Sequence, residues 1–159
     1  MISIDRVTGP HAPDSDLVRA LARVFVEARR ENLQFLIDLH SEDEDRHYLS
    51  RVVLPGNDVY VARAAGEVAG FIAFGAGWVN HLYVAPPFQR RGVGRRLLAV
   101  AKASCPALQL WAFQANAPAI AFYEREGFRV VVRTDGAANE AKMPDVRMAW
   151  AAGVATSLA

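Results

Sequence analysis

Apolar and polar positions alternate with a period of two from Met1 to Val7, which predicts a first strand. After the Gly9-Pro10 break the period lengthens. Asp14 or Ser15 can cap a helix that sets Leu17, Leu21, Val24, Phe25 and Ala28 on one face and runs to about Arg30. A second helical stretch is expected near Asn32 to Leu39, anchored by Leu33, Leu36 and Ile37. Ser41-Glu42-Asp43-Glu44 has the form of a capping box ahead of Tyr48, Leu49, Val52 and Val53, and Pro55-Gly56-Asn57 ends that helix. Val59 to Ala62, Val68 to Phe74 and Trp78 to Val84 read as an antiparallel meander, with turns at Ala65-Gly66 and Gly75 to Gly77. Leu108 to Phe113, Phe128 to Val132 and Val146 to Trp150 are further strands. No repeat or low-complexity segment interrupts this order.

The segment from Leu82 to Leu98 carries the first chemistry: an apolar strand passes through Ala85-Pro86-Pro87 into Gln89-Arg90-Arg91-Gly92-Val93-Gly94-Arg95-Arg96 and a helix. Gly92 and Gly94 let backbone N–H groups approach a phosphate, the first turn of a helix offers unpaired donors, and Arg90, Arg91, Arg95 and Arg96 add positive charge. Leu97, Leu98, Ala101 and Ala103 can seat the helix, with Lys102 pointing out. A nucleotide P-loop would place Lys and then Ser or Thr after the last glycine, where Arg95-Arg96 stand here. A dinucleotide fingerprint would need a third glycine. An ordinary turn with surface arginines remains the plain alternative.

The second motif runs from Gln114 to Phe128. Asn116 is a favoured N-cap, Pro118 sits in the first turn and Gly127 is placed to terminate the helix. Ala119, Phe122, Tyr123 and Glu126 recur at helical spacing, so physics alone permits Tyr123 to be a core aromatic. Together, Gln-x-x-Gly-x-Gly after the strand and Asn116, Ala119, Phe122, Tyr123, Glu124, Gly127 and Phe128 resemble the acetyl-CoA site of the GNAT superfamily of N-acetyltransferases.

That resemblance covers about residues 1 to 151, leaving 152 to 159 as a tail. It implies an α/β (α+β) domain with a mixed central sheet of about seven strands, splayed at the cofactor site and flanked by about four helices. It implies that the backbone of Leu82, Tyr83 and Val84 pairs with the pantetheine arm, and that Gln89, Arg90, Arg91, Gly92, Val93, Gly94 and Arg95 hold the pyrophosphate. Strand edges suit amides, and helix N-termini suit phosphate. Asn116, Ala119 and Phe122 would complete the cofactor site. Tyr123 would stand near the sulfur as general acid, donating a proton to the departing thiolate or stabilising its charge.

A base for the acceptor amine is harder to find. Family members often place one on the strand before the loop or on the following strand, where this chain has Trp78, Asn80 and Trp111. None takes a proton. Strict alternation puts Trp78, Asn80 and Leu82 on one face and Val79, His81 and Tyr83 on the other, so His81, the nearest titratable group, would face away. Its plain reading is a partly buried structural histidine.

Composition narrows the partners. The 159 residues, 52% hydrophobic and 22% charged, suit one globular domain with a sizeable core. Eighteen basic against seventeen acidic residues leave +1, too balanced for a nucleic-acid footprint. No membrane partner and no metal are expected. The lone Cys105 rules out an internal disulfide, and no leader or long apolar span appears, so the expected location is cytoplasmic. Cys105, just before Pro106, reads as a small hydrophobe.

The charged segment from Phe25 to Leu54 would border the acceptor, although a solvated face is the plainer explanation of its charges. Asp135, Asn139 and Glu140 either belong to a plain hairpin connection or reach the acceptor mouth. The resulting expectation is transfer of acetyl from acetyl-CoA to a primary amine of a small molecule or protein terminus, by direct attack in a ternary complex. No Cys or Ser nucleophile paired with a base supports a covalent route. The alternatives are a GNAT-fold module that senses acyl-CoA without turnover and a protein whose charged helices dock a partner. The acceptor, the acyl range and the homodimer this fold often forms stay open.

Overall fold

Residues 1–34 and 39–153 are described in the computed structural model. Their order is β1 (Ile2–Arg6), α1 (Asp16–Asn32), α2 (Glu42–Tyr48), β2 (Asp58–Ala64), β3 (Glu67–Gly75), β4 (Trp78–Val84), α3 (Val93–Ser104), β5 (Ala107–Phe113), α4 (Ala117–Arg125), β6 (Arg129–Thr134) and β7 (Asp145–Ala151). Helix α2 continues through a π-helical turn, Leu49–Val53, into a last turn, Leu54–Gly56. Leu36 and Ile37, expected to anchor a further helix, lie outside the described residues.

Local chemistry sets the helix starts. Ser15 accepts a hydrogen bond from the Val18 amide at 3.2 Å, and Ser41 and Glu44 form both halves of the capping box. The Asn116 side chain accepts from the Ala119 amide at 3.3 Å, and Gly127 adopts φ +93°, as its place after α4 requires.

The strands form one mixed sheet in the order β1-β2-β3-β4-β5-β7-β6. β1 to β4 are antiparallel neighbours, β4 and β5 are parallel, and β5, β7 and β6 are again antiparallel. Val68, Phe71 and Ala73 of β3 pack with Val18, Leu21 and Phe25 of α1 and Leu49 and Val53 beyond α2. Ala69, Ile72 and Phe74 point the other way, into a cluster with Leu97, Leu98 and Ala101 of α3 and Tyr123 of α4. Helices thus cover both faces of the central strand, which is why it reads as an almost continuous apolar run.

The expected alternation of β4 is wrong in one place. Ala73 pairs with His81 and Phe74 with Val79, so Asn80 is the extra residue of a β-bulge. Val79 consequently joins the α3 face while His81 and Tyr83 lie on the α1 face. Trp78, paired with Gly75, falls on the same side as His81 rather than opposite it.

Candidate active site

β4 and β5 touch at one residue pair, Trp78 and Gln109, and then diverge. Ala85 N donates to Ala69 O at 2.8 Å, and antiparallel ladders alternate, so Tyr83 and His81 spend their backbone groups on β3. Leu82 and Val84 turn theirs into the gap. Of the three residues expected to offer their backbone to an arm, Leu82 and Val84 therefore face the gap, whereas the Tyr83 backbone is turned to β3. The Val84 carbonyl already accepts from Gln89 Nε2 at 3.0 Å, which ties the following loop back to the strand.

That loop is shaped by two left-handed residues, Arg90 at φ +63° and Gly92 at φ +80°. Gly92 is the N-cap of α3 and supplies no side-chain cap, so the amides of Val93, Gly94 and Arg95 have no partner within the helix. Gly94 lets the turn sit close: a Cβ there would lie 3.5 Å from Phe122 and 3.6 Å from Val84. Arg91 is exposed, 5.9 Å above the Phe88 ring. Arg96 leaves the expected cluster, donating instead to the Ile2 carbonyl at 3.0 Å.

Leu82, Tyr83, Val84, Gln89, Arg90, Gly92, Val93, Gly94, Arg95, Asn116, Ala119, Phe122 and Tyr123 line one cavity of about 720 Å³, a size suited to a cofactor. Of the residues expected at the loop, Arg91 and Arg96 are not on its wall. Ala28, Glu31 and Leu33 from the end of α1 also line it, as do Phe88, Pro118, Ala121 and Arg125. The α1 residues lie in the segment expected to border the acceptor; only the tertiary fold shows that the end of α1 also reaches the loop.

Tyr123 is both core and wall. It is 8% exposed, with ring-edge contacts to Phe122 at 5.2 Å and Phe128 at 5.5 Å. Burial, with a smaller contribution from Tyr83, pushes its phenol well above the usual range, so it holds its proton. Among the described residues its hydroxyl has no hydrogen-bond partner.

On the α1 side of β4, His81 stands among aromatic rings, 5.7 Å from Phe25 and 5.6 Å from Tyr48. Its Nε2 lies 3.0 Å from the Tyr48 hydroxyl, and among the described residues its buried Nδ1 has no partner. Burial first, and the Arg29 charge second, lower its pKa to about 4, leaving a neutral ring at neutral pH. Arg29 lies 3.9 Å over the Phe25 ring and donates to Asp45 at 3.2 Å, both ends of that ion pair being buried. Burial outweighs Arg29 at Asp45 and raises its pKa. Asn80 donates to Asn57 Oδ1 at 2.8 Å, and Trp111 is 49% exposed.

The β6–β7 connection divides the two readings given to it. Asp135 accepts from the Ala137 amide, and Asn139 donates to Met143 O and Asp145 Oδ2, so both serve the loop itself. Glu140 reaches out instead to His40 Nε2 at 2.7 Å, and His40 Nδ1 lies 3.6 Å from Glu44. Hydrogen bonding to Glu140 is the main cause of a raised His40 pKa. Among the described residues no helix is long and apolar enough to cross a membrane.

Residues 55–130 match the Acetyltransferase (GNAT) domain family, and a relative is 30% identical over 140 residues, spanning 78% of this chain and 94% of its own. The chain therefore belongs to the GNAT superfamily of N-acetyltransferases and is an acetyl-CoA-dependent acyltransferase. That relative is the peptidyl-lysine N-acetyltransferase YiaC of Escherichia coli. Apo YjaB from Escherichia coli superimposes with a TM-score of 0.73 at 23% identity, over 94% of this chain and 97% of its own. The PaiA N-acetyltransferase of Thermoplasma acidophilum, solved with coenzyme A, gives 0.66 at 20% identity, covering 95% and 99%.

The residues present fit that cofactor. The open backbone groups of Leu82 and the open amide of Val84 can pair with the amides of an extended arm, and the uncapped α3 amides with Arg90 and Arg95 can take a pyrophosphate.

Proposed function

We propose that this chain transfers the acetyl group of acetyl-CoA to a primary amine by direct attack within a ternary complex. The observation that carries the reading is that one cavity joins the Gly92–Arg95 loop, the open edge of β4 and Tyr123. Acetyl-CoA supplies the acyl group and a thiolate leaving group. Leu82 and Val84 would hold the arm, Arg90, Arg95 and the α3 amides the pyrophosphate, and Asn116 would use its free amide, since its oxygen caps α4.

Tyr123 would donate a hydrogen bond to the departing sulfur, where negative charge develops. With its phenol held above the usual range, it offers that proton at every physiological pH. Cys105 closes α3 and is absent from the cavity wall, which supports direct attack over a covalent route. His81 is too weakly basic to deprotonate an ammonium with a pKa of about 10.4, so the amine would lose its proton to water and activity would climb with pH. A lysine side chain is the first acceptor to try, given the name of the YiaC relative.

Free-thiol release from acetyl-CoA with a panel of lysine peptides, α-amino peptides and polyamines tests the reading. Saturable release with at least one amine is expected. Coenzyme A binding without release for any of them would favour a sensor.

A further inference from the structure

The direction of the cofactor site fixes where an acceptor must arrive, provided the transferase reading above holds. With the pyrophosphate at Gly92 to Arg95 and the arm running from Val84 back to Leu82, the reactive end would lie at the Leu82 end of the cavity, and the next residues along β4 are His81 and the bulge at Asn80. Asn80 is tied to Asn57. The polar group that overhangs His81 is the hydroxyl of Tyr48, whose residue is 40% exposed although its ring packs on the histidine.

Tyr48 is held in place from both sides along the chain. The buried Arg29–Asp45 pair clamps α1 to α2 three residues before it. Immediately after it the π-helical turn seats Leu49 and Val53 in the core at 0% and 1% exposure. Single π turns inside helices recur at functional sites.

The tautomer of His81 follows from its orphan nitrogen. An unpaired buried N–H is costlier than an unpaired lone pair, so the proton belongs on Nε2 and is donated to Tyr48 Oη. That contact turns the phenol's own hydrogen away from the imidazole. One lone pair of Oη remains for an incoming N–H.

We infer that Tyr48 receives the acceptor, its hydroxyl oxygen accepting a hydrogen bond from the reacting amine, and that His81 acts through it as a positioning residue. No proton moves in this contact. The neutral ring of His81 matters here because an imidazolium would repel an arriving ammonium.

The test measures acceptor KM, kcat and coenzyme A affinity with a short lysine peptide, or with the fastest amine of the panel. Tyr48→Phe is expected to raise acceptor KM about tenfold, the scale of one hydrogen bond to a charged group. It should leave kcat within about twofold and coenzyme A affinity unchanged. His81→Leu should do the same, while His81→Gln, which keeps a donor near the Nε2 position, should return KM toward the parent value. The double variant Tyr48→Phe with His81→Leu should be no worse than Tyr48→Phe alone. An unchanged KM in Tyr48→Phe overturns the inference and leaves the transferase reading intact. A His81→Gln variant as impaired as His81→Leu, or one that loses a limb of the pH–rate profile, overturns the positioning role. A parent enzyme that binds coenzyme A but releases thiol with no amine overturns the transferase reading, and the inference with it.

Discussion

Replacing Tyr123 with Phe removes one oxygen and little else. The hydroxyl has no partner among the described residues, and both ring-edge contacts, to Phe122 and Phe128, survive the change. Stability should therefore stay within about 0.5 kcal/mol and coenzyme A affinity should hold. A hydrogen bond to a charged group contributes about 1.5–3 kcal/mol, so kcat should fall roughly 10- to 150-fold. The pH profile separates two modes of action. Burial and Tyr83 keep the phenol proton more tightly bound than that of a thiol, whose reference pKa is about 8.5, so complete transfer is uphill and the hydrogen bond carries the effect. The deficit should then be uniform from about pH 6.5 to about 9 in thiol-release assays at saturating substrates. A deficit that vanishes above about pH 8.5 would refute the hydrogen-bond argument in favour of proton donation. No deficit at all would make Tyr123 a packing residue.

Gly94→Val should weaken coenzyme A binding at least about tenfold by calorimetry, because even the Cβ fills the space to Phe122 and Val84 and the γ-methyls must enter the cavity; unchanged affinity would remove the pyrophosphate assignment. Gly70→Ala sets a Cβ 2.7 Å from the Tyr83 carbonyl, and should cost about 1–3 kcal/mol in urea unfolding; a loss below about 0.5 kcal/mol would mean that β3 and β4 slide freely. Glu140→Gln tests the His40 tie. Glu140 raises the folded pKa of His40 above 6.5, so the added stability is complete below 6.5 and is lost as pH rises through the raised value. The parent should thus melt higher than the variant in acid and converge with it in alkali, by a small margin since the pair is solvent-screened; parallel melting curves would show that the contact contributes nothing.

Much of the fold was legible because its signals are local. The Ser41–Glu44 capping box, Asn116 as a cap and Gly127 as a terminator each depend on a few neighbouring residues, and each is found where the pattern put it. The cavity was legible for a related reason: its two halves are contiguous motifs. The bulge at Asn80 was not, since one extra residue leaves no trace in a seven-residue strand yet reverses which side every later side chain faces. Arg96 looked like part of the anion loop from its spacing, but the first strand lies close enough to claim it. Tyr48 and His81 are 33 positions apart, and only the packing of α2 on β4 brings them together.

The one-pair junction between β4 and β5 has a thermodynamic consequence. Beyond Trp78 and Gln109 the sheet is two sub-sheets, and the amides of Leu82 and Val84 facing the gap have no strand across from them. They belong among the fastest-exchanging amides of the central sheet in the free protein. A ligand laid along that edge acts as the absent rung, so folding and cofactor occupancy are linked equilibria. At a hundredfold excess over its dissociation constant such a ligand adds about 2.7 kcal/mol to global stability, a sizeable fraction of what a domain of this size possesses. The chain's resistance to unfolding is then set partly by the supply of its own co-substrate.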